Sequence, residues 1–243
     1  MPTLLLLGAN SDMAVALARK FAQEKFDIQL AARNTAPLEA LCSDLHIRYN
    51  VTATAHTFDA TAYDTHESFY NSLPVKPNVT ISVFGYLGEQ ATANNSWQET
   101  AKIIATNYTG AVSILNIVAN DYAAKKAGTI IGISSVAGER GRQSNYTYGS
   151  AKAGFTAYLS GLRNRLFHDG VHVMSVQPGF VYTRMTEHLN LPKLLTAQPA
   201  DVANAIYKGY SKKKNVIFVK WFWRYIMCII RNIPEGIFKK LKL

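Results

Sequence analysis

The chain has 243 residues, 48% of them hydrophobic, and a formal net charge of +10. That length suits one domain with a large core, and the hydrophobic content excludes an intrinsically disordered chain. Two distant cysteines, Cys42 and Cys228, and six histidines without ligand spacing point to neither a disulfide scaffold nor a zinc module, and no metal site is expected.

The first apolar run, residues 3–8, reads as a buried strand and not as a signal peptide, because it is too short and lacks a basic leader. It enters Gly8-Ala9-Asn10-Ser11-Asp12-Met13-Ala14 and a helix over 12–25. A strand over 28–32 ends at Arg33, and a helix follows over 37–49. The next strand, 51–58, ends before Asp59-Ala60, with a helix over 63–72. Strand 79–84 ends at Phe84-Gly85, and one long helix over 97–122 carries Asn107. Strand 128–134 ends at Ser135, and helix 146–168 carries Tyr148 and Lys152. Strand 172–177 runs into Pro178-Gly179, and helix 199–211 and strand 216–219 follow. Strictly alternating strands and helices imply right-handed crossovers and a parallel sheet. The expected fold is therefore α/β: a single-domain, Rossmann-like three-layer sandwich over residues 1–220, with a parallel sheet of about seven strands. Ligands of such sheets bind at the carboxyl ends of the strands, where Gly8, Arg33, Asp59, Phe84, Ser135 and Pro178 all fall.

No stretch approaches the roughly 20 apolar residues of a membrane span, so a cytoplasmic, reduced setting is the default. Nine of the 26 Lys and Arg lie from Lys212 onward, with one acid, Glu235. The body is almost neutral, which gives no reason to expect nucleic-acid binding.

The turn at Gly8 opens a helix whose N–H groups and dipole would meet a pyrophosphate. Asp12 and Ala14 stand where a dinucleotide fingerprint has further glycines, and an acid there must point away or cap the helix. At the end of the second strand Ala32 cannot accept from a ribose hydroxyl, whereas Arg33 can pair with a phosphate, which favours NADP(H) over NAD(H). Otherwise Arg33 is a solvated loop residue.

Tyr148 and Lys152 are four apart and share a helix face. A tyrosine is a weak acid, with a pKa of about 10, and a fixed ammonium beside it lowers that value. Such a pair is a metal-free general acid/base for carbonyl and alcohol interconversion.

With Ser135 thirteen residues before Tyr148, and Asn107 upstream, the chain resembles the short-chain dehydrogenase/reductase family over nearly its whole length. The resemblance implies that Asn107, Ser135, Tyr148 and Lys152 are catalytic. It also implies that Gly8, Asn10, Ser11, Asp12, Met13, Asp59, Ala60, Phe84, Gly85, Pro178, Gly179, Val181 and Thr183 join Arg33, Tyr148 and Lys152 around the cofactor. Only the glycine survives of the family's Asn-Asn-Ala-Gly segment, here Ser82-Val83-Phe84-Gly85. Homodimers or homotetramers through the two long helices are the family expectation. A narrower likeness, through residues 138–146, 160–166 and 84–88 and the tail, is to a subgroup that includes the reductase of a polyprenyl-phosphoryl 2-keto-pentose, which implies a lipid-linked keto-sugar as substrate. The altered glycine turn leaves a second class open, a non-catalytic NAD(P)-binding or sensing protein.

Arg140, Arg142 and Gln143 lie between Ser135 and Tyr148 and so are expected to border the substrate, where the arginines would hold a phosphate or carboxylate. The alternative is a solvated loop or a subunit contact. The basic aromatic tail, 221–243, has two readings: an interfacial helix on an anionic membrane surface, or Trp221, Phe222 and Ile229 packed over the pocket or a subunit interface.

Overall fold

Successive side chains of a strand point to opposite faces, so a strand buried on both faces reads as an unbroken apolar run. Leu4 to Leu7 do this: Leu4 and Leu6 join one core cluster, Leu5 and Leu7 the other. In the computed structural model, which describes residues 1–187 and 190–241, this run is β1 (Thr3–Leu7). It is followed by α1 (Asp12–Gln23), β2 (Asp27–Ala32), α2 (Ala36–Tyr49), β3 (Ala53–Thr57), α3 (His66–Ser72) and β4 (Val79–Ser82). Then come α4 (Gln90–Ala93), α5 (Trp97–Ile104), α6 (Gly110–Lys125), β5 (Thr129–Ile133), α7 (Tyr146–Leu166) and β6 (His172–Pro178). The chain continues through β7 (Phe180–Val181), β8 (Thr196–Ala197), α8 (Pro199–Ser211), β9 (Val216–Val219), α9 (Trp223–Asn232) and α10 (Glu235–Phe238).

The seven-stranded sheet has the order β3-β2-β1-β4-β5-β6-β9, parallel throughout, with Leu4 registered between Ile28 and Val79. Helices α1, α2 and α8 cover one face, and α3, α6 and α7 the other. Strand order reverses at β1–β4, and the carboxyl ends of both strands meet there.

The expected single helix over 97–122 is interrupted. Residues Ala105–Thr109 form a π-turn between α5 and α6. Asn107 causes it: its Nδ2 donates to the Ile103 carbonyl at 2.9 Å, the acceptor that its own backbone N–H would take in an α-helix. The last residues, Lys242 and Leu243 of the basic tail, lie outside the described residues. The rest of the tail forms α9 and α10 and packs on the body through Trp223 and Met227. No helix among the described residues is long and apolar enough to cross a membrane.

Candidate active site

At the carboxyl edge of the sheet lies a cleft of about 630 Å³, lined by Gly8, Arg33, Asp59, Phe84, Ser135, Tyr148, Lys152 and Pro178 among others. Every expected cofactor residue borders it. Gly8 has φ +94°, and a Cβ there would stand 2.6 Å from the Phe84 backbone nitrogen, so only glycine lets the two strand ends approach. Ser11, not Asp12, caps α1, its side chain accepting from the Ala14 N–H. The Asp12 carboxylate is turned to Arg184, accepting from its backbone N–H at 2.8 Å and from Nε at 3.0 Å. Arg184 also donates to the Asn10 carbonyl. An acid in the glycine turn is thereby neutralised by a residue of the loop after β7.

Asp59 accepts from the Thr61 backbone N–H at 2.9 Å, and this bond chiefly holds its carboxyl below the usual carboxylate range. Arg33 is exposed, and none of the described residues accepts a hydrogen bond from its side chain. Gly85 lies against Asn107 and Lys152: a Cβ there would stand 3.0 Å from Asn107 Oδ1 and 3.5 Å from Lys152 Nζ.

Ser135, Tyr148 and Lys152 share one wall of the cleft, because β5 ends where α7 begins its climb across the sheet. Lys152 is 4% exposed, and its Nζ donates to the Ile133 carbonyl at 3.1 Å. Burial pulls its pKa down to about 8. Burial pushes Tyr148 up to about 12, opposed by hydrogen bonding with Ser135. The Lys152 Nζ stands 5.7 Å from the Tyr148 ring centre.

Asn107 is buried behind the wall. Its Nδ2 donates to the Tyr86 carbonyl at 2.6 Å and its Oδ1 accepts from the Tyr86 N–H at 3.2 Å, which fixes the segment after Gly85. Its place is that of a brace behind the cleft.

Of the three expected substrate contacts only Arg142 lines the cleft. Its buried Nε and the Oδ1 of Asn145, also in the lining, have no hydrogen-bond partner among the described residues. Arg140 is engaged elsewhere: Nη1 donates to the carbonyls of Ile230 (2.7 Å) and Ile233 (2.6 Å), and Nη2 pairs with Glu235 at 2.8 Å. Its guanidinium also lies 3.6 Å over the Phe238 ring. The orphan carbonyls at the end of a helix attract a cation, and Arg140 satisfies those of α9. Gln143 is exposed and outside the lining. Of the tail residues expected over the pocket, Phe222 is half-buried while Trp221 and Ile229 are exposed. Trp223 and Met227 supply the contact instead, with Ile226 and Ile230 half-buried on the same face of α9. A Cβ on Gly179 would stand 2.0 Å from the Trp223 ring.

Sequence reasoning did not anticipate Tyr86, Leu87, Lys102, Thr106, Asn145, Arg184, Met185 and Thr186 in the lining. Neither Lys102 nor Arg184 carried a readable signal: Lys102, five residues before Asn107, does not stand at a helical spacing from it, and Arg184 lies in a loop.

A strand order that reverses over a glycine turn, beside a Ser-Tyr-Lys wall, defines a dinucleotide-binding oxidoreductase site. The family description "short chain dehydrogenase" matches residues 2–193. The chain is 32% identical to an uncharacterized oxidoreductase of Mycobacterium tuberculosis, over 98% of this chain and 96% of that one. Among solved structures it is similar to a short-chain dehydrogenase from Sphingobium yanoikuyae in complex with NADPH, with TM-score 0.82 at 22% identity, covering 97% of this chain and 98% of that one. It is likewise similar to a bulky-bulky ketone specific alcohol dehydrogenase from Comamonas testosteroni, with TM-score 0.81 at 22% identity, covering 97% and 96%. The chain belongs to the short-chain dehydrogenase family and is an NAD(P)-dependent dehydrogenase/reductase.

The residues present fit the nicotinamide cofactor. The close approach at Gly8, the capped N-terminus of α1 and the neutralised Asp12 leave an anion cradle at the turn.

Proposed function

We propose that the protein interconverts a carbonyl and a secondary alcohol with NADP(H), and that its substrate is a lipid-linked keto-sugar met at the inner face of the membrane. The observation that supports the reaction is the convergence of Ser135, Tyr148 and Lys152 on one wall of the cleft, with Gly85 against Lys152 Nζ. When bound, the cofactor supplies a hydride. The remaining work falls to the chain. Tyr148, kept protonated near neutrality by its burial, donates its proton to the substrate oxygen in reduction. Ser135 donates a hydrogen bond to the same oxygen as charge develops on it. Lys152 would hold the nicotinamide ribose and return a proton to Tyr148, its own being replaced from solvent. Asn107 fixes the Tyr86 backbone and through it the wall that faces Lys152.

Gly8, Asn10, Ser11 and Met13 would hold the pyrophosphate side, Asp59 and Ala60 the adenine, and Val181 and Thr183 the nicotinamide side. Arg33 would take the 2′-phosphate, which supports NADP(H) over NAD(H). Arg142 and Lys102, both in the lining, favour an anionic substrate, and the Arg142 Nε and Asn145 Oδ1, without a partner among the described residues, favour a hydroxylated one. Exposed Trp97 on α5 and Tyr146 at the start of α7 favour pairing of copies through those helices, as a dimer or tetramer.

The experiment is a turnover assay with NADPH and with NADH against ketones, including polyprenyl-phosphoryl keto-pentoses. Oxidation of NADPH only with a keto-sugar substrate supports the full reading. Turnover of simple ketones alone keeps the reductase and removes the sugar. Calorimetric binding of neither cofactor would move the non-catalytic alternative to the front.

A further inference from the structure

Helix α9 has two faces. Inward it turns Trp223 and Met227, which pack with Val136 and Phe180. Outward it turns Tyr225 and Ile229, exposed at 62% and 68%, and Trp221, exposed at 74%, stands in the turn just before it. Tyr225 and Ile229 are spaced by one helical turn and with Trp221 form an exposed apolar stripe; Ile237 and Leu241, farther along the tail, are exposed at 57% and 42%. Trp221 and Tyr225 meet edge to face, their ring centres 5.8 Å apart. Exposed cations accompany the stripe: Arg224, Lys239 and Lys240. The one acid of the segment, Glu235, is ion-paired to Arg140.

A stripe of large apolar groups in water is unfavourable, and its chemistry selects what covers it. A second copy related by a two-fold axis would set like charges against one another near the axis. An anionic bilayer offers negative headgroups to the cations and an acyl boundary to the apolar stripe, with Trp and Tyr suited to the level between. We propose that the outer face of α9 and α10 docks on an anionic bilayer, and that docking sets the mouth of the cleft at the lipid surface. The second clause rests on the reading of the cleft as a reductase site for a lipid-linked carbonyl. It follows from what lies beneath the helix: Val136, Arg142, Gly179 and Phe180 line the cleft, and all four touch α9 through Trp223 or Met227.

The test is sedimentation of the full chain with vesicles of phosphatidylcholine, alone or with phosphatidylglycerol. The wild type is expected to sediment with the mixed vesicles and to be released by salt. Two variants of exposed side chains, Trp221→Ala/Tyr225→Ala/Ile229→Ala and Arg224→Ala/Lys239→Ala/Lys240→Ala, should each weaken partition by on the order of tenfold or more. A wild type that stays in the supernatant, or variants that sediment as well as it does, would overturn the proposal. So would light scattering that shows the apolar variant losing a dimer that the wild type forms without vesicles. Calorimetry with NADPH on the same preparations separates the two readings: vesicle binding by a protein that takes up no cofactor sustains docking and removes the reductase.

Discussion

Arg184 and Asp12, 172 residues apart in sequence, are joined by two hydrogen bonds, from the Arg184 backbone N–H and from its Nε. The pair closes the loop after β7 onto the glycine turn and neutralises the acid that stands in place of a fingerprint glycine. Without Arg184 a pyrophosphate would meet an uncompensated carboxylate. Arg184→Ala should therefore weaken NADPH binding more than Asp12→Asn does, and Asp12→Asn added to Arg184→Ala should recover part of the loss. Both side chains are partly solvated, so the effect expected on calorimetric affinity is about threefold to tenfold, with stability changed by under about 1 kcal/mol. Equal losses in both single variants and no recovery in the double would contradict this account.

Tyr148→Phe should keep the fold and bind NADPH as the wild type does. Its turnover should fall by about 10²–10⁴, the usual worth of a positioned general acid. Full activity in that variant would remove the proposed mechanism.

Lys152 gives a pH dependence whose sign is fixed by its burial. Its folded pKa of about 8 lies below the value of an unfolded lysine, so between them the unfolded chain binds more protons. Cofactor-free stability should consequently rise with pH from about 8 toward 10, by on the order of 2–3 kcal/mol from this group. Tyr148 acts in the opposite sense above about 10, because the folded tyrosine, at about 12, ionises later than the unfolded one. Urea unfolding of Lys152→Met should lack the rise between about 8 and 10, and at neutral pH this variant should be more stable than the wild type while inactive. An identical slope in both proteins would show that Lys152 is not desolvated.

Asn107→Ala would leave both backbone groups of Tyr86 without the partner that Asn107 supplies. The expected cost is about 2–4 kcal/mol, from buried polar groups left unsatisfied. Hydrogen exchange at the Tyr86 amide should accelerate in parallel. Unchanged protection there would mean that the segment after Gly85 is held by packing alone.

Much of this site was readable because periodicity and strand ends are local signals. Leu4 to Leu7 announce a strand buried on both faces, and the five-residue span from Tyr148 to Lys152 fixes two side chains on one helical turn. The π-turn was not readable as a break in the helix 97–122, because the apolar period continues through it and one side-chain amide decides the backbone. Arg140 was assigned to the substrate by its position between Ser135 and Tyr148; its true partners lie 90 or more residues later. The inward face of α9 carried a legible signal that was missed: Trp223, Ile226, Met227 and Ile230 recur at helical spacing, while Arg224, Arg231 and Asn232 mark the opposite side.

The seating of Trp223 on Gly179 has an optical consequence. Of the three tryptophans, Trp97 and Trp221 are each 74% exposed and should emit as indoles in water, while Trp223 is 3% exposed and should emit toward the blue. It touches the loop that would hold the nicotinamide side, whereas Trp221 lies on the proposed lipid face. Energy transfer to a reduced nicotinamide should therefore report from Trp223, and a lipid-induced spectral shift from Trp221. One chain thus carries separate gauges for its cleft and its outer surface.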